Sequence, residues 1–189
     1  MAKKTPVITL SRESMEARIS GGRTMLITAI VLTILNMIFV VLDKDMYFIF
    51  SVAASYYMVA FGKGMDNGFS EGAWSVNGTY TVTALVMSVI VLAIFFLCWY
   101  KSKTNHRWLT VGLVLFILDT LVLIWVTLVM ITNPGSNIVD LCIHLWILYI
   151  MGRAVNCSKK LKQLDLEEAM AAEAEAEEAE KYNGPSFDD

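Results

Sequence analysis

The chain has 189 residues, 56% of them hydrophobic, and a mean hydropathy of +0.56. This composition excludes an ordinary soluble domain and predicts a multi-pass membrane protein. The net charge is -3, but ten of the eighteen acidic residues lie from Asp165 onward, so the rest of the chain is basic. The three cysteines have no metal-ligand spacing, and we predict no disulfide framework, metal or other cofactor.

Residues 1–23 form a basic segment that we expect in the cytoplasm. Within it, Ser11 to Ser20 has the pattern of a short helix, with Ser11 as its N-cap and Gly21-Gly22 as its end. The apolar run 24–42 then continues into VVLDKD and not into a small-residue cleavage site. We therefore predict a permanent first span, in preference to a signal peptide.

Three further apolar runs are candidate transmembrane helices, at residues 79–100, 108–132 and 137–152. Short loops join them, KSKTNHR and then TNPGSN with its Pro-Gly turn. With the first span they define a predicted transmembrane bundle over residues 24–152. Residues 153–189 follow as a cytoplasmic tail.

Residues 46–62 form a fifth apolar run, which as a helix would be ~25 Å long and short of the ~30 Å hydrocarbon core. Lys and Arg are enriched in cytoplasmic loops. If this run does not cross the membrane, twelve of the fourteen Lys and Arg residues before Lys181 lie on the cytoplasmic side. If it crosses, six of them lie on one side of the membrane and eight on the other. We therefore predict four spans, with both termini cytoplasmic. Residues 46–62 would be a re-entrant loop or an interfacial helical segment. We expect the other helices to surround this segment, because non-helical backbone at membrane depth needs protein around it.

The first span contains an in-membrane asparagine, in TILNMIFVVL, and the aromatic and small-residue segment FSVAASYY follows it. In these features the first third of the chain resembles a group of small bacterial multi-pass membrane proteins without an assigned function. The resemblance implies a bacterial plasma membrane and no activity. Members of this group often have proline where this chain has Ser55. The helix kink that such a proline would cause is therefore not predicted for this chain.

Small or polar residues recur at helical spacing in every span, such as Ala29, Thr33 and Asn36 in the first. Residues of this kind let membrane helices approach one another closely. Asp119 stands out because it is the twelfth of 25 residues in its run, near mid-bilayer, where an unpaired carboxylate costs at least ~2.5 kcal/mol. We expect such a group to be either protonated or paired. Asp119 is then either a proton or cation site, or a protonated structural group hydrogen-bonded to Asn36 or Thr120.

Asp140 and His144 lie four residues apart on one face of the last span. If the preceding turn is centred at Pro134 and Gly135, His144 lies ~9 Å outward of Asp119, counted at 1.5 Å per residue. Direct contact between the two is then not expected, and a water molecule or Asn36 would have to lie between them.

Asp140 also has a simpler interpretation, because Asn137 can be the N-cap of the last helix and place Asp140 in its first turn. His144 would then be a hydrogen-bonded core histidine. A metal site built from these side chains would need three or four converging ligands, and we do not predict one.

Beyond Gly152 the last helix is expected to continue into the cytoplasm. Its first part, RAVNCSKKLK, should contact anionic lipid at the inner surface. The next part, LDLEEAMAAEAEAEEAEKY, is predicted to be a solvated helix, with a role in partner binding as the alternative. The terminal GPSFDD is predicted to be disordered, and no nucleic-acid partner is indicated.

No catalytic or nucleotide-binding motif occurs in the chain. An accessory or interaction protein of the bacterial plasma membrane, with a protein partner or as a homo-oligomer, is the first functional hypothesis. A small oligomeric proton- or ion-coupled transporter or channel that uses Asp119 is the second. An intramembrane enzyme is the third, and it requires Asp119, Asp140 and His144 to converge.

Overall fold

The computed structural model describes residues 11–44, 46–70, 78–129 and 134–182. Within these ranges the chain is all-helical, without strands. The five helices are α1 (Arg12–Val41), α2 (Ala53–Ser70), α3 (Thr79–Ser102), α4 (Arg107–Val129) and α5 (Pro134–Tyr182). All but α2 contain a stretch long and apolar enough to cross a membrane. The predicted all-α fold with four candidate spans is thus confirmed. Residues 71–77 between α2 and α3, residues 130–132 of the third predicted span and the terminal GPSFDD lie outside the described residues.

Helix α1 begins as predicted but does not stop where predicted. The Ser11 hydroxyl accepts a hydrogen bond from the Ser14 N–H at 3.3 Å, which confirms the N-cap. The helix then runs through Gly21-Gly22 without a break, so the predicted end there is wrong. A Cβ atom on Gly22 would lie 2.6 Å from Ala154 Cβ of α5, so this glycine is required for a close helix crossing.

The first part of α1 packs along α5. Met15 and Ile19 are buried in a small apolar cluster with Leu109, Ala154, Val155, Cys157 and Leu161. Arg12 adds ion pairs to Asp165 at 2.6 Å and Glu168 at 3.0 Å. The segment 12–23 is therefore a direct extension of the first span, held against the extension of α5.

Helix α5 is 49 residues long and begins at Pro134. Proline suits the first turn of a helix because the N–H that it lacks would have no partner there. The side chains of residues 162–179 are all exposed.

Between α1 and α2, residues 46–52 are not helical. Helix α2 packs against α1, α3 and α4. Lys63 of α2 reaches back to the end of α1, where its ammonium group pairs with Asp43 at 2.5 Å and donates to the Val40 carbonyl oxygen at 2.7 Å. Both ends of the 46–62 segment therefore lie beside the end of α1.

Candidate functional site

Polar side chains of α1 hold the non-helical chain that precedes α2. The Asn36 amide donates to the Phe48 carbonyl oxygen at 2.7 Å and accepts from the Phe48 N–H at 2.7 Å. The Thr33 hydroxyl accepts from the Val52 N–H at 2.6 Å. Asn36 and Thr33 are completely buried. They thus satisfy backbone groups that have no partner in regular secondary structure.

Asp119 of α4 caps the start of α2. One carboxylate oxygen accepts from the Ala53 N–H at 3.0 Å and the other from the Ala54 N–H at 2.8 Å. The first N–H groups of a helix have no partner within the helix, and the helix dipole favours a negative charge beside them. Asp119 is therefore paired, which was one of the predicted alternatives.

The partners expected for Asp119 are wrong. Asn36 binds Phe48, and the Thr120 hydroxyl donates to the Phe116 carbonyl oxygen at 2.8 Å. Both polar groups are used elsewhere, so the backbone of α2 is the partner of Asp119.

His144 lies between two carboxylates. Its Nε2 is 3.4 Å from Asp119 Oδ2, and its Nδ1 is 3.3 Å from Asp140 Oδ1 and 3.0 Å from the Asp140 carbonyl oxygen. The imidazole ring is fully buried and stacks on Phe116, with the ring centroids 5.2 Å apart. The three side chains named by the sequence thus converge, and no other residue lies between Asp119 and His144.

Asp119 and His144 were expected at different depths in the membrane, and this prediction is wrong. It assumed a turn centred too far along the chain, at Pro134 and Gly135. Pro134 is the first residue of α5 and not the centre of the turn. Asp119 lies ten residues before Val129, where α4 ends, and His144 lies ten residues after Pro134. The two residues are therefore at the same depth.

Asp140 does not cap α5. The helix begins at Pro134, so Asp140 is in the second turn and beyond the free N–H groups. Its side chain is buried and accepts a hydrogen bond from the Tyr47 hydroxyl at 2.6 Å. Nothing in the sequence links Tyr47 to Asp140, 93 residues apart.

These three side chains form what we call the Asp-His-Asp cluster (Asp119, His144 and Asp140). Nδ1 of His144 donates to the carbonyl oxygen four residues before it, so Nε2 faces Asp119. A proton shared between Nε2 and Asp119 Oδ2 would join two atoms that lie 3.4 Å apart. Two backbone N–H groups also donate to Asp119, and the Tyr47 hydroxyl donates to Asp140.

Both ring nitrogens of His144 face oxygen atoms. An imidazole held between oxygen atoms can take up and release a proton. Convergence, the condition set for an intramembrane enzyme, is met.

A cavity of about 390 Å³ lies at the end of α1. Charged side chains line it, among them Asp43, Lys44 and Lys63. Tyr47 and Tyr56 also line it, with ring centroids 4.6 Å apart. Tyr47 thus borders both the cavity and Asp140, and connects the two.

A second aspartate caps the start of α3. Asp66 of α2 accepts from the Tyr80 N–H at 3.2 Å and from the N–H and hydroxyl of Thr81 at 2.8 and 2.5 Å. The hydroxyl of Thr81 and then the backbone donors hold the pKa of Asp66 below its ordinary value. This cap was not foreseen, because no local pattern pairs a residue of α2 with the start of α3.

Four candidate spans and a buried ionisable cluster define a multi-pass membrane protein with a polar interior. Comparison of the chain with known protein families, curated proteins and solved structures gave no match.

Proposed function

We propose that this protein is a small proton-coupled transporter or channel of the bacterial plasma membrane, which exchanges protons at the Asp-His-Asp cluster and works as an oligomer. The observation that carries the proposal is the position of His144 between two buried carboxylates. One carboxylate is enough to cap α2. Each further ionisable group in a membrane interior costs several kcal/mol, roughly 2.5 or more, and capping gives no reason for a second carboxylate and an imidazole.

The proposed topology has four spans, with residues 46–62 entering and leaving at the outer face and both termini in the cytoplasm. The pairing of Lys63 with Asp43 at the end of α1 supports this path. So does the distribution of Lys and Arg, which leaves only Lys44 and Lys63 outside among the basic residues before Lys181. The tail from residue 153 then lies inside, where its basic part faces anionic lipid.

The proton path that we propose runs from the outer cavity through Tyr47 to Asp140, His144 and Asp119. Each step joins atoms within 3.4 Å. Phe116, Ile147 and Met151 lie on the other side of the cluster and are fully buried. These apolar side chains close the path towards the inner face, so in this conformation the cluster exchanges protons with one side only. Four spans with a filled interior leave no room for a pore in one copy, which is why the proposal includes an oligomer.

Proton flux into vesicles tests the proposal. The purified protein is reconstituted into liposomes that contain a pH-sensitive dye, and a potassium diffusion potential drives protons inward. The wild type should acidify the lumen, and Asp119→Asn, which keeps the shape but removes the charge, should abolish the flux. Asp66→Asn is the matched control, because Asp66 caps a helix with the same chemistry outside the cluster. Flux that survives in a correctly folded Asp119→Asn variant, or a wild type without flux, would contradict the proposal.

The second candidate is an accessory or interaction protein. It is favoured by the Glu-rich extension of α5, whose side chains from residue 162 to 179 are exposed. This role predicts that Asp119→Asn is tolerated. It also predicts that partners co-purify with the full chain and are lost when residues 169–189 are removed.

A further inference from the structure

Arg23 of α1 holds the loop between α3 and α4. One guanidinium nitrogen donates to the Ser102 carbonyl oxygen at 2.6 Å and to Nδ1 of His106 at 2.9 Å. Ser102 is the last residue of α3, so its carbonyl oxygen has no partner within that helix. His106 lies in the short loop that follows and ends at Arg107. Arg23 therefore ties this loop to α1.

The contact with Arg23 defines the protonation state of His106. A guanidinium group is always charged and offers only donors, so Nδ1 of His106 has to be the acceptor. The ring is therefore neutral and carries its proton on Nε2. A second proton, on Nδ1, would remove this hydrogen bond and place a positive ring 2.9 Å from the guanidinium nitrogen. The link between Arg23 and His106 thus exists in only one protonation state of the imidazole.

The surroundings of His106 favour the neutral ring. Partial burial, and then the positive charge of Arg23, lower the pKa of His106 from its ordinary value of 6.5. Glu16 of α1 and Asp165 of α5 act in the opposite direction. Both of these carboxylates already face Arg12, at 3.6 and 2.6 Å. The ring is half-buried, so protons from solvent can reach it.

The basic residues that flank His106 in sequence are turned elsewhere. The ammonium groups of Lys101 and Lys103 lie over tryptophan rings, at 5.1 and 3.9 Å from the ring centroids. Arg107 is exposed to solvent, where water and salt screen its charge. Arg23, in contrast, contacts the His106 ring directly.

We propose that Arg23 and His106 form a proton-sensitive switch between α1 and the α3–α4 loop, closed while His106 is neutral and opened when the ring is protonated. The protonated ring moves away from Arg23 and towards the carboxylates of Glu16 and Asp165. In the proposed topology this loop faces the cytoplasm, so the switch responds to acidification there. It shares no residue with the Asp-His-Asp cluster, and the inference does not rest on proton transport.

The direction of the pH effect follows from the neutral ring. Because the folded protein lowers the pKa of His106, the closed switch contributes stability above pH 6.5. This contribution is lost as the pH falls through the pKa of the folded state. The loop should therefore separate from α1 in mild acid and return when the pH is raised.

Nuclear magnetic resonance of the full chain in nanodiscs tests the protonation step. The chain has two histidines, so with isotope-labelled histidine the signal that disappears in His106→Gln belongs to His106. We expect the Nε2–H tautomer at about pH 8 and titration below pH 6.5. Arg23→Met keeps the length of the side chain but removes its charge and donors, and should raise the pKa of His106. Arg18→Met removes the same charge from α1 and should leave that pKa unchanged.

Distances between two spin labels test the movement. In a chain without native cysteines, the labels are attached at Ser20→Cys in α1 and Thr104→Cys in the loop, which are both exposed positions. The mean distance should be longer at about pH 5 than at about pH 8. His106→Gln offers Arg23 a neutral acceptor at either pH and should keep the shorter distance. Arg23→Met should give the same distance at both pH values.

Three outcomes would overturn the proposal. A pKa of His106 at or above 6.5, or one that Arg23→Met does not raise, would show that Arg23 does not favour the neutral ring. An unchanged distance while His106 titrates would show that protonation does not release the loop. A pH-dependent distance that persists in His106→Gln would assign the movement to another group. Size-exclusion profiles that match the wild type establish that the variants are folded, and none of these measurements depends on proton flux.

Discussion

Helices α2 and α3 both begin beside an aspartate from another helix, yet the two starts differ in their surroundings. Asp119 accepts the first N–H groups of α2, and Asp66 accepts those of α3, at similar distances. The side chain of Asp119 is only 2% exposed and faces His144, whereas Asp66 is partly exposed. Water stabilises the charge of Asp66. At Asp119 the N–H groups at the start of α2 and the imidazole of His144 take the place of water.

Removal of the two caps should therefore have very different effects. Asp119→Ala leaves two N–H groups at the start of α2 buried without partners and removes the carboxylate that faces Nε2 of His144, and should destabilise the fold by about 3–5 kcal/mol. Asp66→Ala leaves its donors near water and should have a small effect. Thermal unfolding of both variants in detergent measures the difference. Equal losses of stability would show that the two caps contribute equally to the fold.

The chain that precedes each helix sharpens the contrast. Asn36 binds both backbone groups of Phe48 in front of α2, whereas α3 follows Gly78 in the left-handed conformation, with φ 75°. Asn36→Ala should destabilise the protein by about 2 kcal/mol, because the part-buried N–H and carbonyl groups of Phe48 both lose the side chain that binds them. The control is Thr28→Ala, since the Thr28 hydroxyl bonds only to the Thr24 carbonyl oxygen within α1. Unfolding temperatures that match in the two variants would contradict the role given to Asn36.

Packing between α2 and α3 distinguishes two glycines of α2. A Cβ atom on Gly62 would lie 2.8 Å from the Tyr80 carbonyl oxygen and 2.9 Å from Ala84 Cβ, whereas one on Gly64 would meet nothing within 4 Å. Gly62→Ala should therefore push the helices apart and cost about 1–2 kcal/mol. Gly64→Ala should be neutral or stabilising by up to about 1 kcal/mol, because alanine favours helix. Gly62→Ala should therefore unfold at a lower temperature than Gly64→Ala. The reverse order would contradict the close approach of α2 to α3.

The smallest effect concerns pH. The pKa of Asp66 is lowered in the folded protein, so its contribution to stability is complete above the ordinary value of about 3.9 and is lost as pH falls through the folded pKa. The wild type should be more stable than Asp66→Asn at neutral pH, and the difference should shrink as the pH falls below the ordinary pKa of an aspartate and through the lowered pKa of Asp66. A constant difference between their unfolding temperatures across this range would show that the charge of Asp66 does not contribute.

Apolar run length was enough to predict the number and approximate position of the spanning helices. The Ser11 cap was also predictable, because its partner lies three residues away. Gly21-Gly22 was misread because the same dipeptide suits a helix end and a close helix crossing, and the distinction depends on Ala154, far along the chain. Pro134 was misread as a turn residue because proline also suits the first turn of a helix.

The residues of the candidate site could be named from the sequence, but not their partners. Asp119, Asp140 and His144 stood out because ionisable groups in apolar runs are costly. Their contacts to the start of α2 and to Tyr47 join segments that no periodicity relates. Such contacts depend on the packing of helices, which a single sequence does not encode locally.

The central claim is that Asp119 holds the start of α2 inside the bundle, so that residues 46–62 return to the side on which α1 ends. Single cysteines at Lys44 and Gly64, before and after this segment, test it in a chain without native cysteines, with a membrane-impermeant maleimide applied to intact cells. Thr104→Cys, in the loop after α3, is the reference for the inner face. We predict that Lys44→Cys and Gly64→Cys both react in intact cells, and that Thr104→Cys reacts only after permeabilisation. Reaction of Lys44→Cys and Gly64→Cys from opposite faces would show that the segment crosses the membrane and would contradict the account.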